Sequence, residues 1–188
     1  MVCASDTRWI ASQRFEEWLT REILLILGMV LVALIQVSLL PTPLGLTPQI
    51  MVILIVSRII IGTTAIQPDS ALSVALRWAF YGGLALDLVS ATPFGSHALA
   101  LLLASLVIVL ITSRIHVDGF ILPLLAVALS LLLYEVVLAL IYTLTVASID
   151  WLIYMQVIVL PSILITLIPT LPLFLSMRWV WSRVVKDI

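Results

Sequence analysis

Between Gly119 and Ile149 the chain carries a single charged residue, Glu135. An apolar run of about 20 residues is long enough to cross the hydrocarbon core of a bilayer as a helix. Several such runs follow one another here, separated by short polar or proline-containing segments. Of the 188 residues, 63% are hydrophobic and 10% charged, with a mean hydropathy of +1.30. A soluble domain has about a quarter of its residues charged, so this chain has too few charges to cover a surface in water. The runs do not alternate apolar with polar residues, which argues against a membrane β-barrel. The expected fold class is an all-α integral membrane protein.

The segment order predicts six spans: about Glu22–Leu40, Gln49–Ile61, Ser73–Val89, His97–Ser113, Phe120–Ala147 and Leu152–Val180. Residues 1–21 read as a cytoplasmic amphipathic segment, with Ala11, Phe15, Trp18 and Leu19 on one helical face. Residues 22–182 read as the membrane domain and 183–188 as a cytoplasmic tail. Pro41, Pro43, Gly45 and Pro48 predict a rigid, uncharged loop. Gly62–Ser73, with Pro68 and Asp69, also reads as a loop. Pro161, Pro169 and Pro172 lie in the last span, where each removes a backbone donor and favours a kink. Cys3 is the only cysteine, so no intramolecular disulfide can form. No cleavable signal sequence and no soluble domain are evident.

Lys and Arg set the orientation. With six spans and the N-terminus inside, Arg8, Arg14, Arg21, Arg114, Arg178, Arg183 and Lys186 lie on the inner side. Arg58 and Arg77 flank the second-to-third connection, also inside. The three outer loops then contain no Lys or Arg, a strong positive-inside pattern. Both termini are expected in the cytoplasm. Trp179 and Trp181 fall in the inner aromatic belt, and Trp151 and Tyr154 in the outer one.

The polar residues are few enough to weigh individually. Ala75, Ala79, Gly83 and Asp87 recur every four residues and share one face of the third span. Small residues at that spacing let another helix approach closely in a membrane. Simple intramolecular packing is the favoured reading for Ala79 and Gly83. Structural and partner-binding roles are evenly matched for Asp87. The turn Thr92–Pro93–Phe94–Gly95 fits type I geometry, with Ser96 as the following helix N-cap. Asp87 and His97 stand at its two shoulders, where a salt bridge or hydrogen bond between them would clamp the third and fourth spans together. Asp87, Ser96 and His97 also assemble on paper into a hydrolytic triad, but no nucleophile motif accompanies them. Gln36 is a lone polar residue in the first span and suits a packing hydrogen bond. Glu135 is costly at mid-membrane unless neutral, wetted or paired. Arg58 is the only basic residue able to approach it, so a Glu135–Arg58 pair is one expectation. The competing one leaves Arg58 snorkelling at the inner interface. No metal site, cofactor cradle or nucleic-acid patch is evident, since His97 and His116 fall on opposite sides.

The stretch Asp87–Leu99 follows the pattern D-L-x-S-x-T-P-x-G-x-H-A-L, carried by Asp87, Leu88, Ser90, Thr92, Pro93, Gly95, His97, Ala98 and Leu99. With Gln36 before a proline-rich outer loop, and from about Gln36 to the end, the chain resembles the bacterial rod-shape-determining MreD family. The resemblance implies a non-enzymatic scaffold subunit of the cell-elongation machinery (the elongasome) in the bacterial inner membrane. Its implied partners are an MreC-like bitopic protein and membrane lipid. Through MreC these extend indirectly to an MreB-like filament, a RodA-type glycosyltransferase and a penicillin-binding protein in peptidoglycan synthesis. It also implies a six-helix bundle similar to the substrate-binding subunits of energy-coupling-factor vitamin transporters. Such a transporter subunit is the alternative function. Those subunits meet their partner through an Ala-xxx-Ala face on the first span, where this chain has Gly28, Ala33 and Ser38, five apart.

Overall fold

The computed structural model describes residues 6–39, 47–65, 68–114, 121–145 and 150–184, with side chains at 16–38, 47–63, 72–114, 121–145 and 150–183. Every element among them is helical. The helices are α1 (Asp6–Leu39), α2 (Ile50–Ala65), α3 (Pro68–Val89), α4 (Ser96–Thr112) and α5 (Ile121–Thr145). The last span is α6 (Trp151–Tyr154), a π-helical turn (Met155–Val159) and α7 (Leu160–Val184) in unbroken succession.

Four segments are long and apolar enough to cross a membrane: Glu16–Ser38, Leu72–Val89, Ile121–Thr145 and Trp151–Arg183. Two more helices, α2 and α4, are apolar but shorter, at 16 and 17 residues. The chain is thus built as a multi-pass membrane protein. Its surface agrees: Leu24, Leu88, Leu110, Leu144, Leu164 and Ile168 all lie exposed, as an apolar solvent permits and water does not.

α2 lies at the centre. Met51, Val52, Ile53, Ile55, Val56 and Ile59 point in every direction around it and are all buried, the pattern of a helix enclosed on all sides. It packs against α1, α3, α4, α5 and α7. α1 is the most peripheral, burying Met29, Ala33 and Gln36 while most of its other described side chains face outward.

Two boundaries bear on the sequence reading. Gly62–Ser73 is not an open loop, because α2 runs to Ala65 and α3 begins at Pro68. Proline is well suited to a first helical position, where no intrahelical donor is needed. At the other boundary, near residue 21, α1 runs from the N-terminal segment into the first span as one helix. Trp18 and Leu19 are exposed on that helix, while the side chains of Ala11 and Phe15 lie outside the described residues. So do Pro41, Pro43, Gly45, His116, Asp118 and Lys186.

Asp150 starts the last span. Its Oδ1 accepts the backbone N–H groups of Leu152 (3.1 Å) and Ile153 (3.4 Å), a side-chain N-cap. The π turn ends where Leu160 N–H reaches back five residues to Met155 O. Pro161 follows at once and has no N–H to offer the previous turn, so the ladder widens where α-register cannot continue.

Candidate functional site: the corner of α3, α4 and α5

Gly83 sets the geometry of the corner. A Cβ placed on it would lie 2.2 Å from Ala98 Cα. Only a residue without a side chain lets the N-terminus of α4 come this close to α3. Ala75 and Ala79, on the same stripe, are fully buried. One turn beyond Gly83, Asp87 is thereby carried over the first turn of α4. Its Oδ1 accepts His97 N–H at 2.9 Å and its Oδ2 accepts Ala98 N–H at 3.2 Å. Ser96 Oγ donates to Oδ1 at 3.5 Å. These are the orphan donors of a helix start, and a carboxylate also complements the positive end of the helix dipole. Asp87 is an N-cap supplied by a different helix.

The turn is shifted from its expected place. Ser96 N–H bonds Pro93 O at 3.1 Å, and Gly95 has φ 92° and ψ −8°. Gly95 therefore sits at the third position of a type II turn, which requires positive φ. Gly95 is the backbone N-cap of α4 and Ser96 its first residue. The sequence placed the turn one residue early because Pro93 fits the second position of type I.

His97 faces away from Asp87. Its Nδ1 is 2.6 Å from Tyr134 Oη, and the two rings stack with centroids 5.9 Å apart at 24°. The clamp expected between Asp87 and His97 exists, but through the backbone N–H of His97. The imidazole is not oriented by the carboxylate, so the Asp–His–Ser relay of a hydrolytic triad is not assembled.

Tyr134 and Glu135 are neighbours on α5, about 100° apart around the helix axis. Tyr134 meets α4, while Glu135 turns to the last span, where Tyr154 Oη donates to its Oε2 at 2.9 Å. Both α5 residues are buried. Beside them opens a cavity of about 360 Å³, lined by Pro93, Ser96, Leu138, Tyr142, Tyr154 and Ile158 among others. Its lining is almost wholly apolar, with Tyr154 supplying a hydroxyl at the edge.

The Glu135–Arg58 pair is not formed. Arg58 lies towards the opposite end of the bundle, its guanidinium 4.1 Å above the Trp181 ring and 5.9 Å from that of Trp78. Two indole faces and a tyrosine hydroxyl take the places expected for the ion pair. Gln36 belongs to a separate joint. Its Nε2 donates to Gln49 Oε1 at 2.8 Å, and its Oε1 accepts Met51 N–H at 3.0 Å. Gln49 N–H in turn donates to Thr166 Oγ1 of α7 at 3.1 Å.

The structure thus gathers Gly83, Asp87, Pro93, Gly95 and His97 at one corner, with Glu135 joined through α5. Arg58 and Gln36 stand apart from it. Tyr134 was missed by the sequence reading, although a hydroxyl beside the only acid of an apolar run was the available signal. Among the described residues no three His, Cys, Asp or Glu side chains cluster to hold a metal. No family model, curated protein or solved structure matches the chain.

Proposed function

We propose that the chain is a non-enzymatic scaffold subunit of the bacterial cell-elongation complex, of the kind the MreD family provides. On this reading it crosses the inner membrane six times with both termini in the cytoplasm. α2 and α4 serve as short spans, about 24–26 Å long at 1.5 Å per residue. α2 is enclosed by other helices, so its length need not match the bilayer.

The observation that supports the reading best is how the D-L-x-S-x-T-P-x-G-x-H-A-L residues are used. Both Asp87 oxygens are spent on the α4 backbone, Gly95 on a turn and His97 on Tyr134. A motif consumed by joints suits a rigid platform better than a reactive centre. The bundle then offers an intramembrane face to the single helix of an MreC-like bitopic protein. Through that partner it supports peptidoglycan synthesis by the RodA-type and penicillin-binding proteins. Depletion in the source organism should round the cells, and affinity capture should recover the bitopic partner. Persistent rod shape with no such partner recovered would reject the assignment.

The outer cavity bordered by Tyr154 favours one alternative, the substrate-binding subunit of a vitamin-type transporter. A small molecule co-purifying at one-to-one stoichiometry would establish it.

A further inference from the structure

A second cavity, of about 500 Å³, opens between α1 and α7. Arg21 stands at one end. Leu24, Gly28 and Val32 of α1 face Leu173, Met177 and Val180 of α7 across it, over a floor of Leu54 and Trp78. One turn beyond Leu54 on α2 is Arg58, and one turn beyond Met177 on α7 is Trp181. The groove therefore runs lengthwise along the bundle side, with Arg21 in its lining and Arg58 and Trp181 one helical turn beyond it.

That end holds unused donors. Arg58 is 9% exposed. Its guanidinium faces are taken up by the Trp181 and Trp78 rings, but ring stacking leaves the in-plane N–H edge without an acceptor. Its described contacts are these two rings. Trp181 Nε1 is buried and lacks a hydrogen-bond partner. The buried, unpartnered Trp181 N–H beside the Arg58 cation carries a desolvation cost that an acceptor-rich anion relieves. Glu22 of α1 pairs with Arg77 through Oε1, while its Oε2 is buried without a partner.

We propose that the groove holds an anionic glycerophospholipid. An acyl chain lies along Gly28 and Val32, and the phosphodiester sits at the Arg21–Arg58–Trp181 end. An apolar slot ending in cations between transmembrane helices is the chemistry that retains such lipids. On the both-ends-inside topology this lipid belongs to the inner leaflet. The proposal does not depend on the scaffold role.

The test is native mass spectrometry of the delipidated full chain in micelles with equal phosphatidylglycerol and phosphatidylcholine. The wild type should retain one phosphatidylglycerol with a preference of about fivefold, the scale of one Arg near a phosphate. Arg58→Gln should abolish the preference, and Trp181→Phe, which keeps the ring, should weaken it. Gly28→Phe should lower retention of both lipids by filling the groove, where an added Cβ meets nothing within 4 Å. Equal retention of the two lipids by the wild type overturns the proposal. So does an intact preference in folded Arg58→Gln, or, if that variant fails to fold, undiminished retention in Gly28→Phe. Displacement of the lipid by inorganic phosphate alone overturns it too.

Discussion

Asp87 holds His97 by its backbone N–H, at 2.9 Å, while the imidazole of His97 is engaged by Tyr134 on another helix. One residue thus joins three helices, α3 through its main chain and α5 through its side chain while itself starting α4. The corner is a joint in which both Asp87 oxygens and His97 Nδ1 are engaged by neighbouring helices.

Removing the cap should therefore loosen α4. Asp87→Ala leaves the buried Ala98 N–H and the partly buried His97 N–H without partners, at about 1–3 kcal/mol for an unsatisfied buried group. Asp87→Asn retains one acceptor oxygen and should cost less. Thermal unfolding in detergent should rank wild type above Asn above Ala. Equal midpoints would remove Asp87 from the capping role.

Gly83→Ala should be more damaging than its single added methyl implies. The new Cβ meets backbone rather than a flexible side chain, so α3 and α4 must separate. Overpacking of this kind costs about 1–3 kcal/mol, occasionally more. Gly28→Ala, with open space around its Cβ, is the matched control and should unfold no earlier than wild type.

Gly95→Ala forces an L side chain into left-handed backbone at φ 92°, at about 1–2 kcal/mol. The turn still forms, so the loss should appear as a lowered unfolding midpoint rather than as absent protein. An unchanged midpoint would mean that the turn relaxes to another geometry.

Tyr154→Phe and Glu135→Gln should be strongly coupled. Their hydroxyl–carboxyl contact of 2.9 Å is the described tie between Glu135 and the last span. A double-mutant cycle on unfolding should return a coupling of about 0.5–3 kcal/mol, the range for residues in contact. Strict additivity would show that the two do not interact.

Exchanging the charges of Arg58 and Glu135 should not rescue expression lost in the single reversals, because the two side chains have different partners. Recovery in the Arg58→Glu, Glu135→Arg double variant would reinstate an ion pair.

The helical, membrane-embedded character was legible from apolar run length alone, since a bilayer imposes that length on any spanning helix. The stripe Ala79–Gly83–Asp87 was legible because helical periodicity fixes which residues share a face. What the stripe packs against was not, because a close approach depends on the partner backbone, here Ala98. The turn was placed one residue early because Pro93 satisfies one turn type by its φ while Gly95 satisfies another, and only the tertiary cap by Asp87 decides between them. The Arg58–Glu135 expectation failed for a related reason. Charge scarcity suggested a pairing, but aromatic faces and a hydroxyl met those groups first. The extension of α2 to Ala65 and the start of α3 at Pro68 were missed because Pro68 and Asp69 signal a helix start as readily as a loop.

The central position of α2 has a consequence for biosynthesis. It leaves the ribosome well before α7, which carries Thr166 and Trp181, the residues that meet Gln49 and Arg58. Until that final segment inserts, Arg58 must be exposed to lipid, water or the insertion machinery. Chains truncated before Leu160 lack the wall that encloses it. A product stalled or clipped before α7 thus carries Arg58 without the Trp181 ring that covers it in the folded bundle.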